Sequence, residues 1–292
     1  MSRIHDALHK SEPENGRSIF TASEPSPIEM VGQSAPPLLE LDGVQLVSAQ
    51  VSARARLVAL TDPLSLGAEK FRALATRLDN LRRKRDLKSV QVTSAAKDDG
   101  KTLTSGNLAL TMAMRTSSKV LLIEGDLHRP ALTTLFGLSQ WLGLSAWWSE
   151  GDADILHFVR HLKETSLWLL TAGDAYEQPS DILRSARFAK AFAGLTQRFD
   201  WIIVDSPPLL PMVDANLWSR LVDGTLLVVR EGATRVNALK KGLQSLDGPS
   251  LIGVVLNEAS EFDQVNQYER YYIGQKNGRP ERDKKESRED VV

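Results

Sequence analysis

Apolar positions along the chain follow two different periods. Lys119-Val-Leu-Leu-Ile123 and Trp201-Ile-Ile-Val-Asp205 are short, nearly unbroken apolar runs, the pattern of strands buried on both faces. Residues 166–171, 224–229 and 251–256 repeat it, and 90–93 open with alternating β-formers. Between these runs the spacing turns helical. Phe71, Leu74, Leu78 and Leu81 mark one face within 63–87, and residues 103–114 carry a long apolar face. Helical patterns also cover 181–198 and 236–246. This alternation predicts an α/β fold, a doubly wound and mostly parallel sheet with helices on both faces. Residues 131–166 read as helical and irregular, with Trp141, Trp147 and Trp148 forming an aromatic cluster that belongs to a core.

Periodicity is lost at both ends. From 12 to 37 Pro, Ser, Glu and Gly dominate, the composition of a disordered linker. Before it, Ser2 caps a short helix with Ile4, Ala7 and Leu8 on one face, either a docking segment or a frayed terminus. The expected division is therefore 1–60 for helix and linker, 61–260 for the folded domain, and 261–292 for a polar, disordered tail. Arg82, Arg83, Lys84 and Arg85 form a basic run, read as a solvated helix end or as a subunit contact.

Composition narrows the chemistry. The chain holds 292 residues with a net charge of −1, which supplies no overall attraction to nucleic acid. With no cysteine, thiol catalysis, disulfides and thiolate metal sites are excluded. No apolar run approaches the roughly 20 residues of a membrane span, and the N-terminus shows no apolar signal core. The expectation is a cytoplasmic protein whose membrane contact is peripheral.

The chemistry gathers at strand ends. The strand from Val90 runs through Thr93-Ser-Ala-Ala-Lys-Asp-Asp-Gly-Lys-Thr102 into a helix, the layout of a phosphate-binding loop. Gly100 permits close backbone approach to phosphate oxygens, and the successive N–H groups form an anion nest at a helix start. Lys101 reaches the outer phosphates, and the Thr102 hydroxyl suits Mg²⁺. Ala95 stands where the general pattern has its first glycine, and Asp98 and Asp99 bring two carboxylates into a loop meant for anions. Glu124 and Asp126 follow the apolar run 119–123. Asp205 ends the run 201–205 ahead of Ser206-Pro-Pro208, as a second metal-positioning carboxylate does. Such strand ends share one edge of a parallel sheet. Asn257, ending the last strand, is either a base or ribose contact or a turn residue. Three of the four tyrosines, Tyr268, Tyr271 and Tyr272, lie within five residues of the tail, either as docked aromatics or as phosphate acceptors.

With these residues in place, the chain resembles the cytosolic bacterial tyrosine kinases of capsule and exopolysaccharide assembly. They belong to the deviant-Walker group of P-loop ATPases that includes the Min- and Par-type proteins. The similarity spans roughly 60–260 and the tyrosine tail, and Met1-Ser-Arg-Ile-His-Asp-Ala-Leu8 also looks like the start of relatives from exopolysaccharide loci. The resemblance implies an ATP- and Mg²⁺-dependent tyrosine autokinase regulating polysaccharide polymerisation and export. Residues 96–103 (Ala96, Lys97, Asp98, Asp99, Gly100, Lys101, Thr102 and Leu103) with Asn257 would bind nucleotide. Thr102, Asp126 and Asp205 would hold the metal. Lys101, Asp126, Glu124 and Asp205 would be catalytic, with Tyr268, Tyr271 and Tyr272 as acceptors. A membrane-spanning polysaccharide co-polymerase would recruit the protein to the inner face of the plasma membrane, and a homo-oligomer is expected.

Two positions depart from that pattern. The family's acidic motif reads Asp, any residue, Asp, any residue, Arg after two apolar residues. Here it is Glu124-Gly-Asp126-Leu-His128, with Arg129 displaced by one. The family's oligomerisation helix carries Glu and two Args at three-residue steps, and here Glu69 and Arg72 are followed by Ala75. The alternative is a kinase-inactive, Min- or Par-like nucleotide switch docking on the membrane partner. Those proteins, however, carry a lysine where Ala96 stands, which leans the reading toward the kinases.

Overall fold

The computed structural model describes residues 41–259, apart from 53–54, 116–117, 139–140, 177, 212 and 247–250. The short helix at 2–8, the linker at 12–37 and the tyrosines at 268, 271 and 272 lie outside the described residues. A 3-10 turn at Leu41–Gly43 leads into β1 (Gln45–Val47), α1 (Val58–Thr61), α2 (Leu66–Arg82), β2 (Ser89–Ser94), α3 (Lys101–Arg115) and β3 (Val120–Glu124). Then come α4 (Leu132–Leu135), α5 (Leu144–Ser149), β4 (Arg160–Leu162), β5 (Leu167–Leu170), α6 (Pro179–Arg184) and α7 (Ala186–Arg198). The order closes with β6 (Trp201–Asp205), α8 (Asp214–Leu221), β7 (Gly224–Arg230), α9 (Val236–Ser245) and β8 (Leu251–Asn257).

The eight strands form one sheet in the order β1-β4-β5-β3-β6-β2-β7-β8. Every pair is parallel except β4 with β5. The apolar runs alternate between the two faces, as a two-sided sheet requires. Val90, Val92, Val120, Leu122 and Ile203 pack with Leu78, Leu108 and Met112 of α2 and α3. Leu121, Ile123, Ile202 and Val204 pack with Phe188, Phe192 and Trp218 of α7 and α8. The predicted doubly wound sheet is the observed one.

Three details differ from expectation. β1, inside the stretch expected as linker, pairs with β4, and α1 begins before residue 61. Asn107 on the buried α3 fixes that segment: its side-chain amide donates to Arg56 O and its oxygen accepts Ala59 N. The helix expected over 181–198 is two helices, because Ser185 adopts extended backbone and its Oγ accepts Phe188 N, capping α7. The tryptophans divide between cores. Trp147 and Trp148 clasp the Arg187 guanidinium on α7, whereas Trp141 packs in the cluster on the other face of the sheet.

Candidate active site

The carboxyl ends of β2, β3 and β6 meet at one edge. Val92 lies opposite Asp205, and Asp205 opposite Glu124, so one row across three strands sets the two carboxylates. From β2 the loop 95–100 leads into α3, with Gly100 O accepting Thr104 N as the first bond of the helix. Asp98 and Gly100 both take left-handed backbone, φ +66° and +96°. Gly100 is required there, since a Cβ would lie 2.1 Å from Asn257 Nδ2.

The two loop aspartates have different surroundings. Asp99 is buried and braces the loop, accepting Ala96 N at 3.2 Å and the Thr234 hydroxyl at 2.8 Å. The Asp98 side chain is exposed and its carbonyl accepts from Arg230. The far side of the loop is tied to β6's extension: the Thr93 hydroxyl donates to Pro207 O, and Leu209 N to Ser94 O.

A cavity of about 1070 Å³ opens beside the loop. Ala96, Lys97, Asp98, Gly100, Lys101, Thr102 and Leu103 line it, with Asp126 opposite. Across it, Lys101 Nζ lies 3.0 Å from Asp126 Oδ2. Burial works against the Lys101 charge, yet Asp205, Asp126 and Glu124 outweigh it and hold its pKa above the ordinary lysine value. Asp205 is 1% exposed, and burial raises its carboxyl to about 6 against the opposing pull of Lys101 and a hydrogen bond from Thr102. Its Oδ1 has no hydrogen-bond partner among the described residues. An orphaned buried carboxylate oxygen beside a threonine hydroxyl is a donor set that suits a hard divalent cation.

Three expected site residues are placed elsewhere. Glu124 is fully buried at the end of β3, and its carboxylate accepts Ala131 N at 2.5 Å, Leu132 N at 2.6 Å and Ala172 N at 2.9 Å. Its extra methylene carries the oxygens past the cavity into the backbone behind it. Burial raises its pKa, against the lowering effect of those three N–H groups. Asn257 does not reach toward a base; its Nδ2 donates to Asp99 O at 2.9 Å. Asp99 likewise supports the loop instead of facing the main cavity.

The structure adds contacts that the sequence alone did not assign. His128 Nε2 and buried Asp214 Oδ2, at the start of α8, are 2.9 Å apart at the cavity edge. Arg129 lines the cavity, and its backbone N donates to Asp126 Oδ1. Pro208, Leu210 and Leu135 supply apolar walls. Trp218 Nε1 donates to Gly125 O, fixing the turn between Glu124 and Asp126. Arg230 and Thr234 stand at the end of β7, where the rule that ligands gather at carboxyl ends of parallel strands would have found them.

No family model matches the chain. It is 31% identical over 203 residues to the tyrosine-protein kinase YwqD of Bacillus subtilis (strain 168), covering 69% of this chain and 85% of that protein. It is 33% identical over 175 residues to the tyrosine-protein kinase CpsD of Streptococcus pneumoniae serotype 4, 59% of this chain and 76% of that one. Among solved structures, the kinase domain of Escherichia coli tyrosine kinase ETK aligns with a TM-score of 0.65 at 28% identity, over 80% of this chain and 98% of that domain.

Proposed function

The chain belongs to the bacterial tyrosine-protein kinases, and from that membership we propose that it transfers the γ-phosphoryl group of ATP to tyrosine hydroxyls, chiefly Tyr268, Tyr271 and Tyr272 of its own tail. The observation that carries this reading is the 3.0 Å contact between Lys101 of the phosphate loop and Asp126 of the acidic loop. It brings a phosphate-directed cation and a cavity-facing carboxylate to one point, which a simple nucleotide clamp does not need.

In this reading Gly100 and the amides of 96–103 hold the phosphates and Lys101 offsets their charge. Asp126 orients the acceptor phenol and takes its proton as the new O–P bond forms and the bond to the ADP oxygen breaks. Thr102 and Asp205, with Asp126 across the cavity, would hold Mg²⁺ directly or through water. The bound ion supplies charge neutralisation on the phosphates. The chain's own residues do the positioning, on which phosphoryl transfer chiefly depends.

The tail from about residue 261 acts as the acceptor segment. Its tether raises the effective concentration of tyrosine at a neighbouring subunit's site, so transfer within a homo-oligomer is the expected route. The physiological setting is capsule or exopolysaccharide assembly at the inner face of the plasma membrane, reached through a membrane-spanning co-polymerase. No helix among the described residues is long and apolar enough to cross a membrane. The relatives' shared description as tyrosine kinases favours this reading over a nucleotide switch without transfer.

Mass spectrometry of the purified protein after incubation with ATP and Mg²⁺, beside Lys101→Ala, tests it. Phosphate on the tail tyrosines that disappears in the variant is expected. ATP binding without phosphotyrosine, even with the cytosolic segment of a co-polymerase present, would overturn it.

A further inference from the structure

Glu124 occupies the position where the chain departs most plainly from the family's acidic motif, and its surroundings give it a different task. Its carboxylate has about four acceptor sites. Three are taken by backbone N–H groups of Ala131, Leu132 and Ala172. Two of these donors open α4, which has no side-chain cap of its own. The carboxylate on the neighbouring strand therefore supplies that cap from outside the helix. Its third bond ties the same group to the end of β5, where Thr171 O and Ala172 O in turn accept Leu144 N and Ser145 N at the start of α5.

The capped segment is a wall of the cavity. Arg129, Pro130, Ala131 and Leu135 all line it. Asp126 Oδ1 holds Arg129 N from the cavity side, and Glu124 holds Ala131 N and Leu132 N from behind. One carboxylate faces the site, and the other sits sealed in the frame with no exposed surface.

We propose that Glu124 is a positioning residue that sets the Arg129–Leu132 wall against the acceptor and takes no proton in the transfer. This rests on the kinase reading above for what the wall positions, and on geometry alone for what Glu124 holds. Reach explains the residue type. An aspartate, one methylene shorter, draws both oxygens back toward β3 and gives up the bonds to α4, to Ala172, or to both. A buried N–H left without its acceptor carries a desolvation cost, so the wall shifts to recover partners.

The test compares wild type with Glu124→Gln and Glu124→Asp on the full chain. Amide hydrogen exchange at Ala131, Leu132 and Ala172 is measured alongside kinetics with ATP and a tail-derived tyrosine peptide. Wild type should protect all three amides. Glu124→Gln keeps an oxygen for Ala131 N and Leu132 N and should lose protection mainly at Ala172. Glu124→Asp should lose protection at more of them and be impaired at least as much as Glu124→Gln. In both variants the KM for the peptide should rise more than kcat falls.

A proton acceptor would behave in the opposite way. Its removal in Glu124→Gln would cost about 10²–10⁴ in kcat with the amides still protected, while Glu124→Asp would match or exceed wild type. That outcome, or unprotected amides in wild type, overturns the proposal. If wild type shows no transfer, the kinase reading falls, and the exchange data still decide whether Glu124 holds the wall.

Discussion

Asn257 Nδ2, at the end of β8, donates to the carbonyl of Asp99 at 2.9 Å and closes the edge of the sheet onto the phosphate loop. The next residue, Glu258, receives Arg230 Nε at 2.7 Å, and another Arg230 nitrogen reaches Asp98 O. The loop is thus braced by the ends of β7 and β8 as well as by its own strand and helix. Removing the brace in Asn257→Ala costs one partly buried hydrogen bond, about 1 kcal/mol, and should weaken ATP binding about fivefold. Gly100→Ala should do more, because it meets Asn257 Nδ2 at 2.1 Å and forces a side chain to φ +96°. The double variant Gly100→Ala/Asn257→Ala should recover only part of the loss, since it removes the clash and leaves the backbone strain. Titration with a fluorescent ATP analogue separates the three.

Asp205 gives the nucleotide-free protein a definite pH dependence. Its carboxyl titrates at about 6 when folded, above its ordinary 3.8, because burial disfavours the charge. The folded state therefore binds this proton more tightly than the unfolded chain does. Its contribution to stability is present below about pH 4 and is lost as pH rises through 6, at about 1.4 kcal/mol for each unit of separation. Asp205→Asn should melt several degrees above wild type at pH 7.5 and near it at pH 4, while losing Mg²⁺-dependent transfer. Calorimetry at the two pH values checks the first, and phosphotyrosine the second. An Asp205→Asn melting temperature below wild type at pH 7.5 would contradict the assignment.

Much of this site was legible because strand ends announce themselves. An apolar run that stops at a carboxylate, as at Ile123-Glu124 or Val204-Asp205, marks a strand and the sheet edge it reaches. The run Gly100-Lys101-Thr102 marks the loop between strand and helix in the same way. Direction of side chains was not legible. Nothing in the local sequence tells that Asp99 turns to Thr234, or that Asn257 turns to Asp99 O, since those partners lie 135 and 158 positions apart. The methylene that distinguishes Glu124 from Asp was visible. Its destination was set by α4 and β5, and no periodicity predicts that three-way junction. β1 and β4 were missed because strands of three residues leave too few positions for any period to show.

Gly125 separates the two acidic residues for a packing reason. A Cβ there would stand 2.7 Å from Trp218 Nε1 and 2.8 Å from Val204 Cγ1. Trp218 is fully buried in the aromatic cluster with Phe188 and Phe192, so it has little room to retreat. Gly125→Ala should cost about 1–3 kcal/mol by overpacking and shift Asp126, lowering transfer on the order of a hundredfold. Trp218→Phe, which removes the bond to Gly125 O and leaves a small cavity where the larger ring packed, should cost about 1–3 kcal/mol but a smaller part of the rate. Urea melts and initial rates for both variants measure this ordering.

The remaining departure, Ala75, looks on paper like a missing arginine that substitution would restore. Its place in the structure argues otherwise. Ala75 is 1% exposed and belongs to the core between α2 and the sheet, in the same cluster as Leu78, Leu108 and Met112. Glu69 and Arg72 meanwhile pair with each other at 2.7 Å, and Arg72 also donates to Pro63 O. Their exposed charges are satisfied within the helix and its N-terminal turn. An arginine at 75 would have to enter a packed apolar layer or push α2 away from α3, whose Arg115 now donates to Arg72 O and the Thr76 hydroxyl. Ala75→Arg should therefore lower stability by about 1–3 kcal/mol or more, a fall of roughly 2–4 °C per kcal/mol for a domain of this size. It should leave the solution mass unchanged. Light scattering that instead showed a larger assembly at an undiminished melting temperature would mean that the α2 surface can admit the side chain, and that its absence here limits self-association.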